Sequence, residues 1–186
     1  DVVRWFLGRD AKRVLAHAAV ITPSKIDLGE VNLTEALDCG GQGVAGKSSR
    51  KGRTVDYASI AWEFEGGAVG TLILSHATYL RRGLAPELEF HGTEASLAVD
   101  RFHGRVTIAR PDASVEVVEE VPAGGYDLGN RFEKWVIPAL REVMSGKSQM
   151  DVDAPNLVDG WKAQLFTDAA LESSRSGAWV EIENVN

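Results

Sequence analysis

The residues best suited to chemistry fall into three groups. The first, Gly41-Gln42-Gly43-Val44-Ala45-Gly46-Lys47-Ser48, satisfies the G-x-x-x-x-G-K-[ST] pattern of a phosphate-binding loop. In such a loop backbone N–H groups and Lys47 would cradle phosphates while Ser48 held Mg²⁺. The Ala98-Val99-Asp100 stretch would serve as the acidic metal strand. The context opposes that reading. A phosphate loop follows a buried strand and opens a helix, whereas Thr34-Glu35-Ala36-Leu37-Asp38 makes a poor buried strand and Gly52 interrupts any helix beyond Ser48. The expectation for 41–48 is therefore a flexible glycine-rich loop. The second group is Tyr79, Arg81 and Arg82, and the third is Tyr126, Asn130 and Arg131. Guanidinium forks and phenol hydroxyls suit polyols and anions, so both groups are candidates for the wall of a ligand site. The plainer alternatives are a solvated charged tip for the second group and helix capping with surface charge for the third. His17, His76, His91 and His103 are scattered without metal-ligand spacing, and Cys39 has no local histidine partner. Neither a metal centre nor a thiol nucleophile is expected.

These side chains need elements to hold them. Val2, Trp5 and Phe6 recur at helical spacing before Gly8, which predicts a short helix over 1–8. The β-branched and alanine-rich run 12–21 reads as a buried strand. Residues 22–53 hold six glycines and the basic residues Lys47, Arg50, Lys51 and Arg53, and read as a long irregular stretch. Strict alternation over 57–64, the Glu65-Gly66-Gly67 turn and the run 68–76 predict a hairpin. Short strands follow over 87–91, 96–99, 105–109 and 115–121, separated by tight turns, as in an antiparallel meander rather than βαβ crossovers. The stripe Phe132, Trp135, Val136, Ala139, Leu140 and Val143 is helical, with Asn130 a possible N-cap and Pro138 expected to kink or shorten it. Val158, Trp161, Leu165 and Ala169 mark a second helix, opening near Pro155 and closing at Gly177. A last strand covers 178–182. The fold class so reached is α+β: an open, mostly antiparallel sheet of about eight strands with helices packed on one face.

Composition bounds the function. The chain has 186 residues, enough to bury roughly 70% of its unfolded surface as one domain. With 27 acidic against 20 basic residues its net charge is −7, which disfavours nucleic acid and anionic lipid as partners. Its single cysteine excludes an intrachain disulfide, and no apolar run approaches the roughly 18–20 residues of a membrane span. Asp1 opens the chain without Met, inside an apolar helical stripe, so a piece of a longer protein is expected, in which the absence of a signal pattern carries no information; a cytoplasmic location is the expectation.

Four stretches together resemble the C-terminal domain of the glucose–fructose oxidoreductase / inositol dehydrogenase / MocA family. Asp1-Val2-Val3-Arg4-Trp5-Phe6-Leu7-Gly8 is similar to the helix that follows the family's catalytic histidine. Val55-Asp56-Tyr57-Ala58, with Phe64 through Leu72, is similar to its hallmark hairpin. Glu87 through Leu97 resembles the next hairpin, with Ala95 where glycine is commoner, and Asp159-Gly160-Trp161, with Asp168 through Ser173 and Gly177, the closing helix. The resemblance implies an upstream Rossmann domain that binds NAD or NADP, absent from this chain, and makes 1–186 the domain for substrate binding and dimerisation. It implies oxidation or reduction at a hydroxyl or carbonyl of a sugar, inositol or related polyol. The lysine and histidine that do the acid–base work would lie upstream, the histidine three residues before Asp1, so this chain alone is expected to be inactive. Asp1, Tyr79, Arg81, Tyr126 and Arg131 are the substrate-wall candidates, and a homodimer or tetramer through the sheet is expected. The alternative is a non-catalytic interaction module built on an open sheet. Residues 22–53 depart from the family's common pattern.

Overall fold

The computed structural model describes residues 2–22, 24–26, 49–76, 87–100, 104–120, 132–152 and 154–183. The chain divides into two compact units, one of residues 1–78 with 155–186 and one of residues 79–154.

The first unit opens with helix α1, Val2–Leu7, which ends where Gly8 takes the left-handed conformation at φ 60°. Strand β1, Ala11–Ala19, then pairs antiparallel with β4, Tyr57–Phe64, and β4 with β5, Val69–Ser75. The short β10, Val180–Glu181, lies on the other side of β1, so the order is β10-β1-β4-β5. The register puts Val14, Trp62 and Gly70 in one row and Ala16, Ile60 and Leu72 in the next. Helix α3, Leu157–Ser176, packs on this face and completes a core of Val14, Ala16, Ile60, Trp62, Phe64, Ala169, Ala170 and Ile182. Val3 and Leu7 of α1 pack against it. Trp62 meets Phe166 of α3 edge-on, with ring centroids 5.1 Å apart, an arrangement that adds about 0.5–1.5 kcal/mol beyond area burial. No Cβ fits at Gly70, because the Trp62 indole occupies its place.

Helix α3 is closed at both ends. Asn156 accepts from the Val158 and Asp159 amides, and Asp159 accepts from the Asn156 amide, a reciprocal capping box; Gly177 at φ 68° returns its N–H to the Ser173 carbonyl. Strand β10 pairs only with Arg13 and Val14, which leaves the later amides of that β1 edge without a strand partner. Two serines of α3 supply what the short strand does not. The Ala16 N–H donates to Ser173 Oγ and the Ala18 N–H to Ser174 Oγ, both at 2.9 Å. A small ladder of β2, Ser24–Ile26, and β3, Ser49–Lys51, completes the unit.

The second unit carries β6, Glu87–His91; β7, Ser96–Asp100; β8, Arg105–Ala109; and β9, Val115–Glu120. They pair in sequence order as an antiparallel meander. A π-helical turn, Phe132–Val136, runs into helix α2, Ile137–Met144.

The α+β class, the antiparallel pairing and the packing of α3 on one sheet face agree with the sequence reading. One continuous sheet does not: among the described residues the strands divide into two ladders of four and one of two. A tight turn joins β4 to β5 in the first ladder, whose other neighbours are distant in sequence, whereas β6 to β9 pair in sequence order. The ladder β2–β3 lies inside the stretch read as irregular, where polar three-residue strands have no alternation to reveal them. Pro138 sits at the start of α2 rather than inside it, directly after the π turn, where its missing N–H costs little. No helix is long and apolar enough to cross a membrane among the described residues.

Candidate functional site

Two polar features stand out on the first unit. One is a cleft of about 390 Å³ between α1, the β4–β5 turn and the start of α3, lined by Arg4, Trp5, Arg9, Asp10, Glu65, Asp159 and Lys162 among others. Arg4 pairs with both Asp10 and Asp159, and Lys162 pairs with Asp10. Asp159 thus serves the helix cap with one oxygen and Arg4 with the other. All four side chains are about one-fifth exposed, so the pairs are screened less than surface pairs. Arg9 reaches across the turn to the Glu65 carbonyl at 3.3 Å, over Gly66, where φ is 80° and a Cβ would overlap the guanidinium. The charges satisfy one another. The cluster offers no free base or nucleophile; it fixes α1 against α3 and leaves Trp5 exposed at the rim.

The second feature lies at the other end of β1. Asp56 is only 3% exposed. Its carboxylate accepts the Ile21 N–H at 2.7 Å and the Thr22 N–H at 3.1 Å. Its own N–H donates to the Ala19 carbonyl, and its carbonyl accepts the His76 N–H at 2.8 Å. One residue therefore ties together the exit of β1, the entry of β4 and the exit of β5. Just before it in the sequence, a hollow of about 370 Å³ is lined by Arg50, Lys51, Gly52, Arg53 and Thr54.

Asp1, Tyr79, Arg81, Arg82, Tyr126, Asn130 and Arg131 lie outside the described residues, as do the segment 41–48, Cys39 and His103. The sequence continues from His76 at the Asp56 hub to Tyr79 and Arg81, begins α1 directly after Asp1, and enters the π turn directly after Arg131. His17 is exposed on β1, and exposed His91 contacts Ser96 Oγ at 2.9 Å and Glu89 at 3.4 Å. No group of three His, Cys, Asp or Glu with metal-binding geometry occurs among the described residues. Sequence reasoning missed Asp56 as a hub and the Arg4–Asp10–Asp159–Lys162 cluster. The signal for the first was an acidic residue set between Val55 and Tyr57 at a strand entry; the second joins residues about 150 positions apart and left no local signal.

The model of an oxidoreductase family's C-terminal alpha/beta domain matches residues 1–182. Solved structures share the fold. Levoglucosan dehydrogenase in its apo form superposes with a TM-score of 0.76 at 20% identity, over 99% of this chain and 49% of its own. An oxidoreductase domain protein from Kribbella flavida gives 0.72 at 19%, over 99% and 49%. An NAD binding oxidoreductase from Klebsiella pneumoniae gives 0.72 at 21%, over 99% and 48%. The chain spans about half the length of these structures. No curated protein matches it in sequence.

Proposed function

The chain belongs to the oxidoreductase family as its C-terminal alpha/beta domain, the glucose–fructose oxidoreductase / inositol dehydrogenase / MocA group, and from that premise we propose that it is the substrate-binding and dimerisation half of an NAD(P)-dependent oxidoreductase acting on a sugar or related polyol. The observation that carries the reading is the family match over 1–182, on a chain whose fold covers half of each solved relative. Levoglucosan dehydrogenase is also known as a complex with NADH and levoglucosan, which supports a sugar substrate and a nicotinamide cofactor.

The described strands pair only antiparallel, so they offer no βαβ turn on which a dinucleotide pyrophosphate would sit. The residues present do not fit the cofactor, and the reading assigns it to a preceding domain. This half's task is then to wall the substrate. Asp1 at the head of α1, Tyr79 and Arg81 after the Asp56 hub, and Tyr126 and Arg131 before the π turn are the residues proposed for it. The Arg4–Asp10–Asp159 cluster supports the reading, because it holds the head of α1 in place for whatever precedes it.

The test is to express the protein with its preceding coding sequence and follow nicotinamide reduction across a panel of sugars, inositols and other polyols. The expected result is turnover that Arg81→Ala slows by about tenfold in kcat/KM, the loss of one charged substrate contact. No turnover of any panel member with NAD or NADP would overturn the reading in favour of a non-catalytic module.

A further inference from the structure

We propose that Arg50, Lys51 and Arg53 form a recognition site for an anionic group, a phosphate or carboxylate, carried by the substrate. The inference rests on the oxidoreductase reading above and narrows its substrate class to charged sugars.

Seven other cations among the described residues are ion-paired. Arg4, Arg13, Arg105, Arg110, Arg175, Lys147 and Lys162 each stand against a carboxylate. Acidic residues outnumber basic ones by 27 to 20, so carboxylates are in surplus. Among the described residues no carboxylate pairs with Arg50, Lys51 or Arg53, three cations within four positions.

Arg50 through Thr54 line a hollow of about 370 Å³, within the range of small-molecule sites. Gly52 stands between the cations and carries no side chain to fill it. Two guanidiniums and an ammonium supply forked and point-charge donors, the combination that phosphate and carboxylate oxygens accept. Asp56, three residues after Arg53, is buried and hydrogen-bonded to Ile21 and Thr22 on the strand side and to His76 through its carbonyl. That hub sets the cations at the same end of the first sheet from which the chain continues to Tyr79 and Arg81.

The experiment has a binding arm and a kinetic arm, both on the full-length protein. Inorganic phosphate is titrated calorimetrically into the wild type, the Arg50→Gln/Lys51→Gln/Arg53→Gln variant and, as a control, Lys134→Gln. The triple variant should bind at least about tenfold more weakly and the control within about twofold, with binding weakening as NaCl rises. If the triple variant fails to fold by circular dichroism, Arg53→Gln alone, outside the ladder, should weaken binding about threefold. Absent phosphate binding, or equal loss in variant and control, overturns the site. In the kinetic arm, sugar phosphates and uronic acids are each compared with their neutral parent sugar. The wild type should prefer one anionic class by at least about tenfold in kcat/KM, which identifies the anion, and the triple variant should bring that ratio near one. Neutral sugars oxidised as well as both anionic classes would overturn this inference and leave the oxidoreductase reading standing. No oxidation of any sugar would overturn that reading, and the substrate assignment with it, while the phosphate arm still decides whether the cations form an anion site.

Discussion

A carboxylate that is 3% exposed persists only where its lone pairs are met, and Asp56 meets them with the Ile21 and Thr22 amides. Asp56→Ala removes both acceptors and leaves two donors to be rehydrated. It should cost about 2–4 kcal/mol in a urea titration, and Asp56→Asn, which keeps one acceptor, about half of that. A value below about 1 kcal/mol for the alanine variant would show that water replaces the carboxylate. A second residue-scale expectation concerns acid. Arg13 donates to both oxygens of Glu63 at 2.7 and 2.8 Å, and that hydrogen bonding holds the Glu63 carboxyl below its ordinary value of 4.5. A folded pKa below the unfolded one means that the folded state binds fewer protons. The pair's contribution is therefore present above pH 4.5 and is lost as pH falls through the lowered value. The difference in melting temperature between wild type and Glu63→Gln should shrink across that acid window. A constant difference from neutrality downward would remove the pair from the acid response.

Elements that reveal themselves by period were legible in the sequence. Strand β4 occupies 57–64, as its alternation predicts, and β6 and β8 likewise match their predicted bounds. Helix α3 closes at the predicted Gly177. What period cannot reveal is how an element's polar residues are used, and Ser173 is the example. On sequence it is a small polar residue in a helix. In the fold it is fully buried, accepts the Ala16 N–H, and donates to the Ala178 carbonyl at 2.6 Å. It closes a strand edge that the two-residue β10 leaves open. Ser173→Ala should cost about 1–3 kcal/mol, because a buried edge amide is left without an acceptor. Ser174→Ala, at a partly buried site, should cost less. Hydrogen exchange locates the effect: the Ala16 amide should lose protection in Ser173→Ala while those of the β4–β5 pair keep theirs. Retained protection at Ala16 would mean that another group has taken over.

At the scale of the molecule, the sequence conveyed the class, the β4–β5 hairpin and the β6–β9 meander, but not that β1 pairs with β4 and with β10. Pairing across a long connection is decided by tertiary contacts rather than by local pattern. The same limit applied to the outer face of the first sheet, because a one-residue register error exchanges its two sets of side chains. The structure supplies the parity. Since Val14, Ala16, Ile60, Trp62 and Phe64 face α3, the opposite face carries rows Arg13–Glu63–Val69, Leu15–Ala61–Thr71 and His17–Ser59–Ile73. Val69 is 76% and Ile73 70% exposed, amid small neutral residues. A sheet face of this kind suits self-association, since a two-fold axis would let it cover itself. We therefore expect a symmetric dimer that buries more than about 1,000 Å² through this face. Sedimentation equilibrium at micromolar concentration should give twice the chain mass of 20.1 kDa. Ile73→Glu should return the molecule to monomer, because each symmetric contact would bury a new carboxylate twice, while circular dichroism stays unchanged. Helix α3 lies on the far side of the sheet, so the core does not feel the substitution. A wild-type chain that sediments as a monomer would remove the face from consideration. A dimer indifferent to Ile73→Glu would mean that association uses another surface, such as the exposed Val115, Val117 and Val118 on β9.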